Sequence, residues 1–397
     1  MSDAAETCIA CLTPPGHGAL ATLGLCGPDA WPLVRTLFRP HTGTLPEQPT
    51  PRTFRLGRLG AADGVADEAV LAVKDGDPPP LELHCHGGRA AVRFALDLFA
   101  AHGIRVVGWP VWLRRTDADP LRAAAAVALA EAATVRTAAI LLDQHAGAFR
   151  RAVTAALDAL DRGDTAAAQP LVGELARWAP LGRHLTRPWR VVLAGPPNVG
   201  KSSLLNALAG YQRSVVAATP GTTRDVVTVR LAVDGWPVEV ADTAGQRATG
   251  DVLEETGVAL ARSHAAAADL CLWLLDSTAP PLYPETRPAN LRLIVTKTDL
   301  PAAWDPATAG AAPRVSARTG DGVPELCAAV ATWLVPQAPP TGTAVPFTPQ
   351  LADAVEGAGR ALAAGQSTEA RAVLAALISN RSGACRGKEI QTETRRR

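Results

Sequence analysis

The sequence predicts an α/β domain inserted into an all-α domain, with a small α+β domain before them. Residues 190–336 alternate strand-like and helix-like segments, which is typical of an α/β domain. Segments rich in Ala and Leu, with apolar residues three and four positions apart, flank that region on both sides. The predicted domains are therefore α+β over 1–113, helical over 114–186 and 337–397, and α/β over 187–336.

Length and composition exclude several classes of protein. With 397 residues, the chain is long enough for two or three domains with ample cores. Its formal net charge of +1 gives no overall basic character of the kind that attracts nucleic acid. The seven cysteines lack metal-site spacing, and no apolar run reaches membrane-spanning length. We therefore expect a cytoplasmic protein with reduced thiols and no membrane contact.

The amino-terminal region shows short alternating apolar runs, broken by Gly and Pro, around one helical pattern over 90–101. Its most distinctive phrase is LELHCHGG at residues 81–88. His84 and His86 would share one strand face, which is a candidate arrangement for metal ligands. The sequence offers no partner cluster of ligands, so we favour a strand that ends in a glycine turn.

A glycine-rich turn follows the first apolar strand of the α/β domain. Residues 190–205 read RVVLAGPPNVGKSSLL, and they hold the complete phosphate-binding pattern between a strand and a helix. Gly195 and Gly200 let backbone N–H groups curl around a phosphate, and the helix amino terminus adds a positive dipole. Lys201 reaches the β- and γ-phosphate oxygens, and the Ser202 hydroxyl is a ligand for Mg²⁺.

Four further motifs follow in the order that a GTPase requires. Thr223 is the candidate for a second hydroxyl on Mg²⁺. A DTAG motif begins at Asp242, which would hold a metal-bound water, and its Gly245 N–H would contact the γ-phosphate. A TKTD motif ends in Asp299, whose carboxylate accepts two N–H groups of guanine and repels adenine. The Ser316-Ala317 pair places a backbone N–H near guanine O6. These motifs predict a Ras-like P-loop GTPase domain.

The candidate nucleotide-binding residues lie within and beside these motifs. They are Gly195, Val199, Gly200, Lys201, Ser202, Ser203, Gly221, Thr222, Thr223, Asp242, Thr243, Ala244, Gly245, Thr296, Lys297, Thr298, Asp299, Ser316, Ala317 and Arg318. One departure is Thr296, because this motif usually has Asn there. We expect the change to weaken contacts around the base and to leave the selectivity for GTP intact.

Two residues are candidates for activating the attacking water. Gln246 directly follows DTAG, where Ras-type enzymes carry a water-orienting Gln. Glu254 lies eight residues further along, in a segment that reads as a helix. The residues alone favour neither side chain.

The combination of GPPNVGKSS, PGTTRD, DTAG followed by E-x-x-G, and the flanking helical segments resembles the MnmE (TrmE) family of tRNA-modification GTPases. The amino-terminal phrases ACLTPPGHGALATLGLCGPDA and LELHCHGG are similar to that family's first domain. The resemblance implies a homodimer whose GTPase domains meet on K⁺ binding. It also implies a flavin- and NADH-dependent partner, an aminomethyl-type group on the tRNA wobble uridine, and a folate as carbon donor. Contact with tRNA is expected to be weak or indirect.

The resemblance assigns further residues of the GTPase domain. Asn198 matches a K⁺ ligand, and residues 217–223 match a loop that wraps the ion. Glu254 matches the family's water-positioning Glu, which favours it over Gln246, where the family has a hydrophobic residue. The K⁺ loop brings in Ala217, Ala218, Thr219, Pro220, Gly221 and Thr222, with ligands expected from Ala217, Thr219 and Thr222.

The residues that match the family's folate site are altered. Gly24 stands where the family has an Arg, and Asp117 falls where it has a Lys, whereas Glu82 matches the family's Glu. Cys385 and Lys388 echo a carboxyl-terminal phrase with a reactive Cys and a folate-contacting Lys. Two hypotheses follow. The first is an MnmE-type enzyme of tRNA modification, and the second is a regulatory GTPase derived from that fold without one-carbon chemistry.

Overall fold

The computed structural model describes residues 6–14, 16, 18–61, 64–211, 227–242 and 268–379. These residues form two compact units, the first extending to Val127 and the second from Ala128 to Ile378. None of the helices in the described ranges combines the length and apolar character needed to cross a lipid bilayer.

A seven-stranded sheet forms the first unit, in the order β3-β4-β5-β6-β2-β1-β7. Neighbouring strands are antiparallel except β1 and β7, which are parallel. The predicted helix over 90–101 is observed as α2, whereas α1 and α3 were not predicted. The elements are β1 (Cys8–Cys11), β2 (Leu20–Cys26), α1 (Ala30–Leu37), β3 (Phe38–Pro40), β4 (Thr53–Gly60), β5 (Ala66–Val73), β6 (Leu81–His86), α2 (Arg89–Ala100), β7 (Arg105–Val106) and α3 (Trp109–Thr116).

The two faces of this sheet differ in what covers them. One face carries alternate residues such as Leu23 and Leu83, which pack with Trp31 of α1 and Phe99 of α2 in the main core. On the other face, Trp112 of α3 packs in a small cluster with two residues of β1. Directly paired residues of antiparallel strands share a face, so the register groups five positions. We call them the Gly24 face: Cys8, Ala10, Gly24, Cys26 and Glu82.

The second unit contains a five-stranded sheet in the order β12-β11-β8-β10-β9. All pairs are parallel except the β9–β10 hairpin, whose turn residues Asp234 and Gly235 both have positive φ, as a two-residue hairpin requires. Strand β8 is almost continuously buried, as expected for a central parallel strand. The elements are β8 (Trp189–Ala194), α9 (Lys201–Tyr211), β9 (Val227–Val233), β10 (Trp236–Asp242), β11 (Leu270–Asp276), β12 (Leu291–Thr296) and α10 (Val323–Leu334).

Helices that precede and follow this sheet in sequence contact one another. Helix α6 packs on α7 and α12, and α11 packs on α7, α8 and α12. Buried Gln144 at the end of α5 donates to the Thr343 carbonyl and accepts from the Val345 N–H. The helices are α4 (Pro120–Ala130), α5 (Val135–His145), α6 (Ala148–Asp161), α7 (Thr165–Arg177), α8 (Ala179–Gly182), α11 (Pro349–Ala363) and α12 (Ser367–Ile378).

Candidate nucleotide-binding site

The predicted nucleotide-binding motifs that the structure describes lie at one edge of the five-stranded sheet. Strands β8, β11 and β12 are parallel neighbours, so their carboxyl ends meet at the same edge. The phosphate-binding loop follows β8, and the TKTD motif begins at the last residue of β12. Such an edge is where ligands bind in open α/β sheets.

The phosphate-binding loop has the backbone that its glycines predict. Gly195 has φ +139° and Gly200 has φ +102°, values that L side chains rarely adopt. A Cβ at Gly195 would also lie 2.9 Å from the Leu274 carbonyl oxygen, so glycine lets the loop pass close to β11. Asn198 is exposed and adopts a left-handed φ of +61°, which Asn tolerates better than most residues.

Lys201 is the first residue of α9 and is 9% exposed. Its ammonium group donates to the carbonyl oxygens of Gly195 at 3.0 Å and Pro196 at 2.8 Å. These contacts hold the cation across the loop, at the amino terminus of the helix. Ser202 and Ser203 follow in the first turn, and both are exposed. A cation and hydroxyl groups at a helix amino terminus fit a triphosphate with Mg²⁺.

Thr296 joins the TKTD motif to the phosphate-binding loop. Its buried hydroxyl lies 2.7 Å from the Val199 carbonyl oxygen and 3.2 Å from the Leu275 carbonyl oxygen. The shorter bond makes Val199 the main acceptor, and Val199 is the residue between Asn198 and Gly200. Thr296 therefore uses its hydroxyl within the protein, as a link between the loop and two neighbouring strands.

Lys297 is fixed by an acidic residue that the sequence reasoning missed. Its Nζ donates to Asp276 Oδ2 at 2.5 Å, while its backbone has a left-handed φ of +57°. Burial alone would raise the pKa of Asp276, but hydrogen bonds from Lys297 and Thr278 outweigh it and lower the pKa. The sequence contains a partial signal for this role of Asp276, because this residue ends an apolar strand. That strand lies beside the one that ends at Thr296, just before Lys297.

Asp299 and Ser316 come together beside β12. Ser316 Oγ donates to Asp299 Oδ1 at 2.6 Å, and Arg318 Nε donates to Asp299 Oδ2 at 2.7 Å. Both bonds lower the pKa of the Asp299 carboxyl, and the bond from Ser316 has the larger effect. The Asp299 side chain is 8% exposed. A bridge between Val295 and Arg314 aligns the second segment with β12. The paired carboxylate has the chemistry that guanine recognition needs.

The remaining predicted residues of this domain lie outside the described residues. They include both candidates for water activation, the whole K⁺ loop and most of the DTAG motif. Asp242 is described only by its backbone, which ends β10 opposite Val227 and Leu193. Outside the described residues are Ala217, Ala218, Thr219, Pro220, Gly221, Thr222, Thr223, Thr243, Ala244, Gly245, Gln246 and Glu254, together with Cys385 and Lys388.

Gly24 of the first unit lies against the indole of Trp112. A Cβ at Gly24 would be 2.5 Å from Trp112 Cε2 and 2.8 Å from Nε1, so no larger side chain fits there with the indole in place. Trp112 is 6% exposed, and its Nε1 has no hydrogen-bond partner within the described part of the chain. An arginine at this position, as the resemblance implies for the family, would need the space that Trp112 occupies.

Glu82 and Asp117, the other two described folate candidates, have basic neighbours within the chain. Glu82 lies 3.6 Å from Lys74 Nζ and 3.5 Å from His84 Nε2. Asp117 accepts a two-pronged hydrogen bond from Arg122, with both N–O distances at 2.8 Å. Asp117 is thus engaged as an anion where the resemblance implies a cation.

No group of three or more His, Cys, Asp or Glu side chains with metal-site geometry occurs in the described ranges. His84 pairs with Thr22 and Glu82, and His86 pairs with Asp67 at 2.6 Å. Both histidines lie on β6, which ends at His86 before the Gly87-Gly88 turn. These contacts agree with the strand-and-turn interpretation of the LELHCHGG phrase.

Comparison with known proteins identifies relatives of both units. The family described as 50S ribosome-binding GTPase matches residues 190–298, and the family described as GTP-binding protein TrmE N-terminus matches residues 7–108. The tRNA modification GTPase MnmE of Phenylobacterium zucineum is 36% identical over an alignment of length 334 that covers 75% of this chain and 73% of that protein. The MnmE of Nitratidesulfovibrio vulgaris is 32% identical over 82% of this chain and 80% of its own length. That of Thermus thermophilus is 33% identical over 80% of each.

Proposed function

This chain belongs to the MnmE family of tRNA modification GTPases, and we propose that its GTP hydrolysis drives a conformational change during modification of the tRNA wobble uridine. It is a GTP hydrolase. The observation that carries the choice of nucleotide is Asp299, held by Ser316 and Arg318 beside the phosphate-binding loop. A flavin-dependent partner protein joins in adding an aminomethyl-type group to the uridine.

The residues of this chain divide the work of hydrolysis. Lys201 neutralises charge on the β- and γ-phosphates, and Asp299 selects guanine. Glu254 orients the attacking water, and Gln246 has a smaller role. Ser202 and Thr223 would hold Mg²⁺, and the K⁺ ligands would be Asn198, Ala217, Thr219 and Thr222. When bound, K⁺ supplies positive charge beside the phosphates, as an arginine finger does in other GTPases.

The assembly that we propose is a homodimer whose GTPase domains meet when K⁺ binds. Within each chain, the α/β domain is an insertion into the helical domain, a proposal supported by the contacts of α6 with α12 and α7 with α11. The protein acts in the cytoplasm, and its contact with tRNA is weak or indirect because its net charge is only +1.

The K⁺ part of the proposal is tested by GTPase rates at equal ionic strength in K⁺ and in Na⁺. We expect K⁺ to raise the rate about 10²-fold, the scale of one preorganised electrostatic contact. Asn198→Ala should remove this difference, whereas Asn206→Ala, an exposed Asn on α9, should preserve it. Equal rates of the wild-type protein in both salts would contradict a K⁺ site.

The role in modification is tested in a bacterial strain that lacks its own MnmE. Expression of this chain should restore the modified wobble uridine, measured by mass spectrometry of digested tRNA. Lys201→Ala, which removes the cation of the phosphate-binding loop, should fail to restore it. If the wild-type chain hydrolyses GTP but does not restore the modified uridine in this strain, the modification role is rejected.

A second candidate is a regulatory GTPase that retains the switch but has lost folate-dependent chemistry. The Trp112 indole against Gly24 favours it, because the cation implied by the family has no room there. Failure to rescue the strain, together with undetectable folate binding and normal GTP binding, would support this candidate. Rescue would reject it.

A further inference from the structure

Two cysteines on the Gly24 face stand opposite each other on neighbouring strands. Cys8 of β1 pairs directly with Cys26 of β2 in the antiparallel register. Their sulfur atoms lie 3.4 Å apart, and one thiol donates a hydrogen bond to the other. A disulfide needs its sulfurs at about 2.0 Å and its Cα atoms roughly 4.4–6.8 Å apart. Directly opposed antiparallel residues meet the Cα requirement, so side-chain rotation alone brings the sulfurs into bonding range.

The surroundings stabilise one negative charge on this pair. The pKa of Cys8 lies below its ordinary value because Cys26 donates to its sulfur and the Arg115 guanidinium lies beside it, although burial opposes the effect. The pKa of Cys26 is raised, mainly by the same hydrogen bond and by burial. Glu6 is the acidic neighbour and acts against the thiolate. The two sulfurs therefore share one proton, and the titration belongs to the pair.

Two other buried thiols, Cys85 and Cys271, have the opposite character. Burial raises the pKa of Cys85 and of Cys271 to about 11, which leaves both protonated at neutral pH. Reactivity follows the thiolate fraction, so these cysteines act as internal controls. Access also differs within the pair, because Cys8 is 0% exposed and Cys26 is partly exposed.

We propose that Cys8 and Cys26 form a redox-active dithiol, which a small-molecule disulfide of the glutathione class converts to an intramolecular disulfide. Cys26 is the thiol that the small disulfide can reach, so it first passes its proton across the hydrogen bond to the Cys8 thiolate. The Cys26 thiolate then attacks one sulfur of the small disulfide and releases a small thiolate. The Cys8 thiol then gives its proton to the released small thiolate and attacks Cys26 Sγ, releasing the second thiolate, which takes a proton from solvent. The two cysteines lose two electrons and their shared proton, and the small disulfide becomes two thiols.

The disulfide would form directly beneath α3. Cys8 packs with Ala10 and Trp112 in one cluster, so a covalent link between β1 and β2 fixes the strands on which that indole rests. No residue of the nucleotide-binding edge takes part. The proposal therefore stands independently of the tRNA modification role.

The test uses the full-length reduced protein in buffers of reduced and oxidised glutathione. After rapid alkylation and chymotryptic digestion, which cuts between the two cysteines at Leu20, mass spectrometry should find Cys8 linked to Cys26. Cys85 and Cys271 should be alkylated only after unfolding. Cys8→Ser should leave glutathione attached to Cys26, because the resolving thiol is gone. Cys26→Ser should leave Cys8 reduced.

Arg115 provides a second, graded test. Arg115→Gln should shift the pH profile of disulfide formation upward by about one unit, so that the rate at about pH 5, below the Cys8 pKa of about 6, falls close to tenfold, whereas Arg115→Lys should retain most of the rate. Two results would overturn the proposal. One is wild-type protein that keeps both thiols in oxidising buffer while the unfolded chain is oxidised. The other is wild-type protein in which glutathione stays attached to Cys26 and no disulfide with Cys8 forms.

Discussion

The carboxyl edge of the five-stranded sheet and the Gly24 face of the seven-stranded sheet both hold residues predicted to bind a ligand, yet they are built differently. At the edge, parallel register brings the ends of β8, β11 and β12 together, and positive φ at Gly195 and Gly200 shapes the loop. On the Gly24 face, the space for a side chain depends on the residues that pack over the sheet from another element. There the cover is Trp112.

This difference shows which residue roles can be assigned to this chain from a family resemblance. A loop that follows a parallel strand keeps its place because the backbone of the sheet sets it. A position on a sheet face depends on volume, and one large residue from another element changes it. Gly24 and Trp112 fit each other, and the pair leaves no room for the arginine that the resemblance implies.

The largest effect is expected at Asp299, on the nucleotide-binding edge. Asp299→Asn replaces an acceptor oxygen by a donor, which faces the N–H groups of guanine unfavourably but suits xanthine. We expect the ratio of GTP to xanthosine triphosphate affinity to fall by about 10⁴-fold, the scale seen when buried polar partners are mismatched. Titration with labelled nucleotides measures both affinities.

The control for this variant is Asp305→Asn, which makes the same chemical change where the carboxylate only caps a short 3₁₀ turn through the Ala307 N–H. Its nucleotide preference should match that of the wild type. Wild-type protein that binds adenosine and guanosine triphosphates equally would show that the TKTD motif has been misassigned.

The next effect separates Glu254 from Gln246. A group that only orients water contributes to the rate and not to nucleotide affinity, so Glu254→Ala should lower the GTPase rate by about 10²–10⁴-fold at unchanged affinity. Gln246→Ala should lower it less. Glu255→Ala, at the neighbouring carboxylate, serves as the matched control. The reverse ranking of the first two variants would indicate a Ras-type mechanism.

Folate binding tests the Gly24 face. This chain has Gly24 and Asp117 where the resemblance implies two cationic residues. If each lost cation costs about 1.5–3 kcal/mol, the two losses together should weaken the binding of a reduced folate by roughly 10²–10⁴-fold. Calorimetry on the isolated protein should therefore detect weak folate binding, while GTP binds normally in the same preparation. Micromolar or tighter folate binding would refute this prediction and restore the full modification enzyme.

The sequence predicted the parts of this fold that repeat a local pattern. The strand, loop and helix around Lys201 were predicted from the phosphate-binding pattern, and α2 from its periodicity. Helix α3 was missed, because Trp109–Thr116 is a short segment without capping residues of the usual kind. Its tryptophan nevertheless decides what the Gly24 face can hold.

Contacts set by register could not be read from the chain. Asp276 reaches Lys297 because β11 and β12 pair in parallel, and Cys8 meets Cys26 because β1 and β2 pair antiparallel. Both pairs join residues that are distant in sequence and belong to no shared motif. The sequence supplies the residue types, and only the folded sheet supplies the pairing.

Removing one hydroxyl at the nucleotide-binding edge should have a moderate effect. Thr296→Val keeps the side-chain volume but removes the hydroxyl that donates a hydrogen bond to the Val199 carbonyl oxygen. An unsatisfied buried carbonyl costs about 1–3 kcal/mol, so GTP affinity should fall by roughly 5- to 150-fold. Thr332→Val, at an exposed position of α10 where the hydroxyl donates to the Ala328 carbonyl oxygen, should have no effect. Unchanged affinity for Thr296→Val would remove its role as a link.

The smallest effect concerns Asp117, the residue that follows α3. Burial alone would raise the pKa of Asp117, but hydrogen bonds from Arg122 and the Asp119 N–H outweigh it and lower the pKa. A carboxyl with a lowered folded-state pKa stabilises the fold above its unfolded value of about 3.9, and the contribution is lost as pH falls through the folded value. Asp117→Asn should therefore cost about 1 kcal/mol of unfolding free energy at pH 7. The difference from wild type should shrink as pH falls from 5 towards 2, measured by urea unfolding. Asp97→Asn, on an exposed ion pair of α2, provides the control and should cost less. A pH-independent difference would mean that Asp117 acts through its volume and not through its charge.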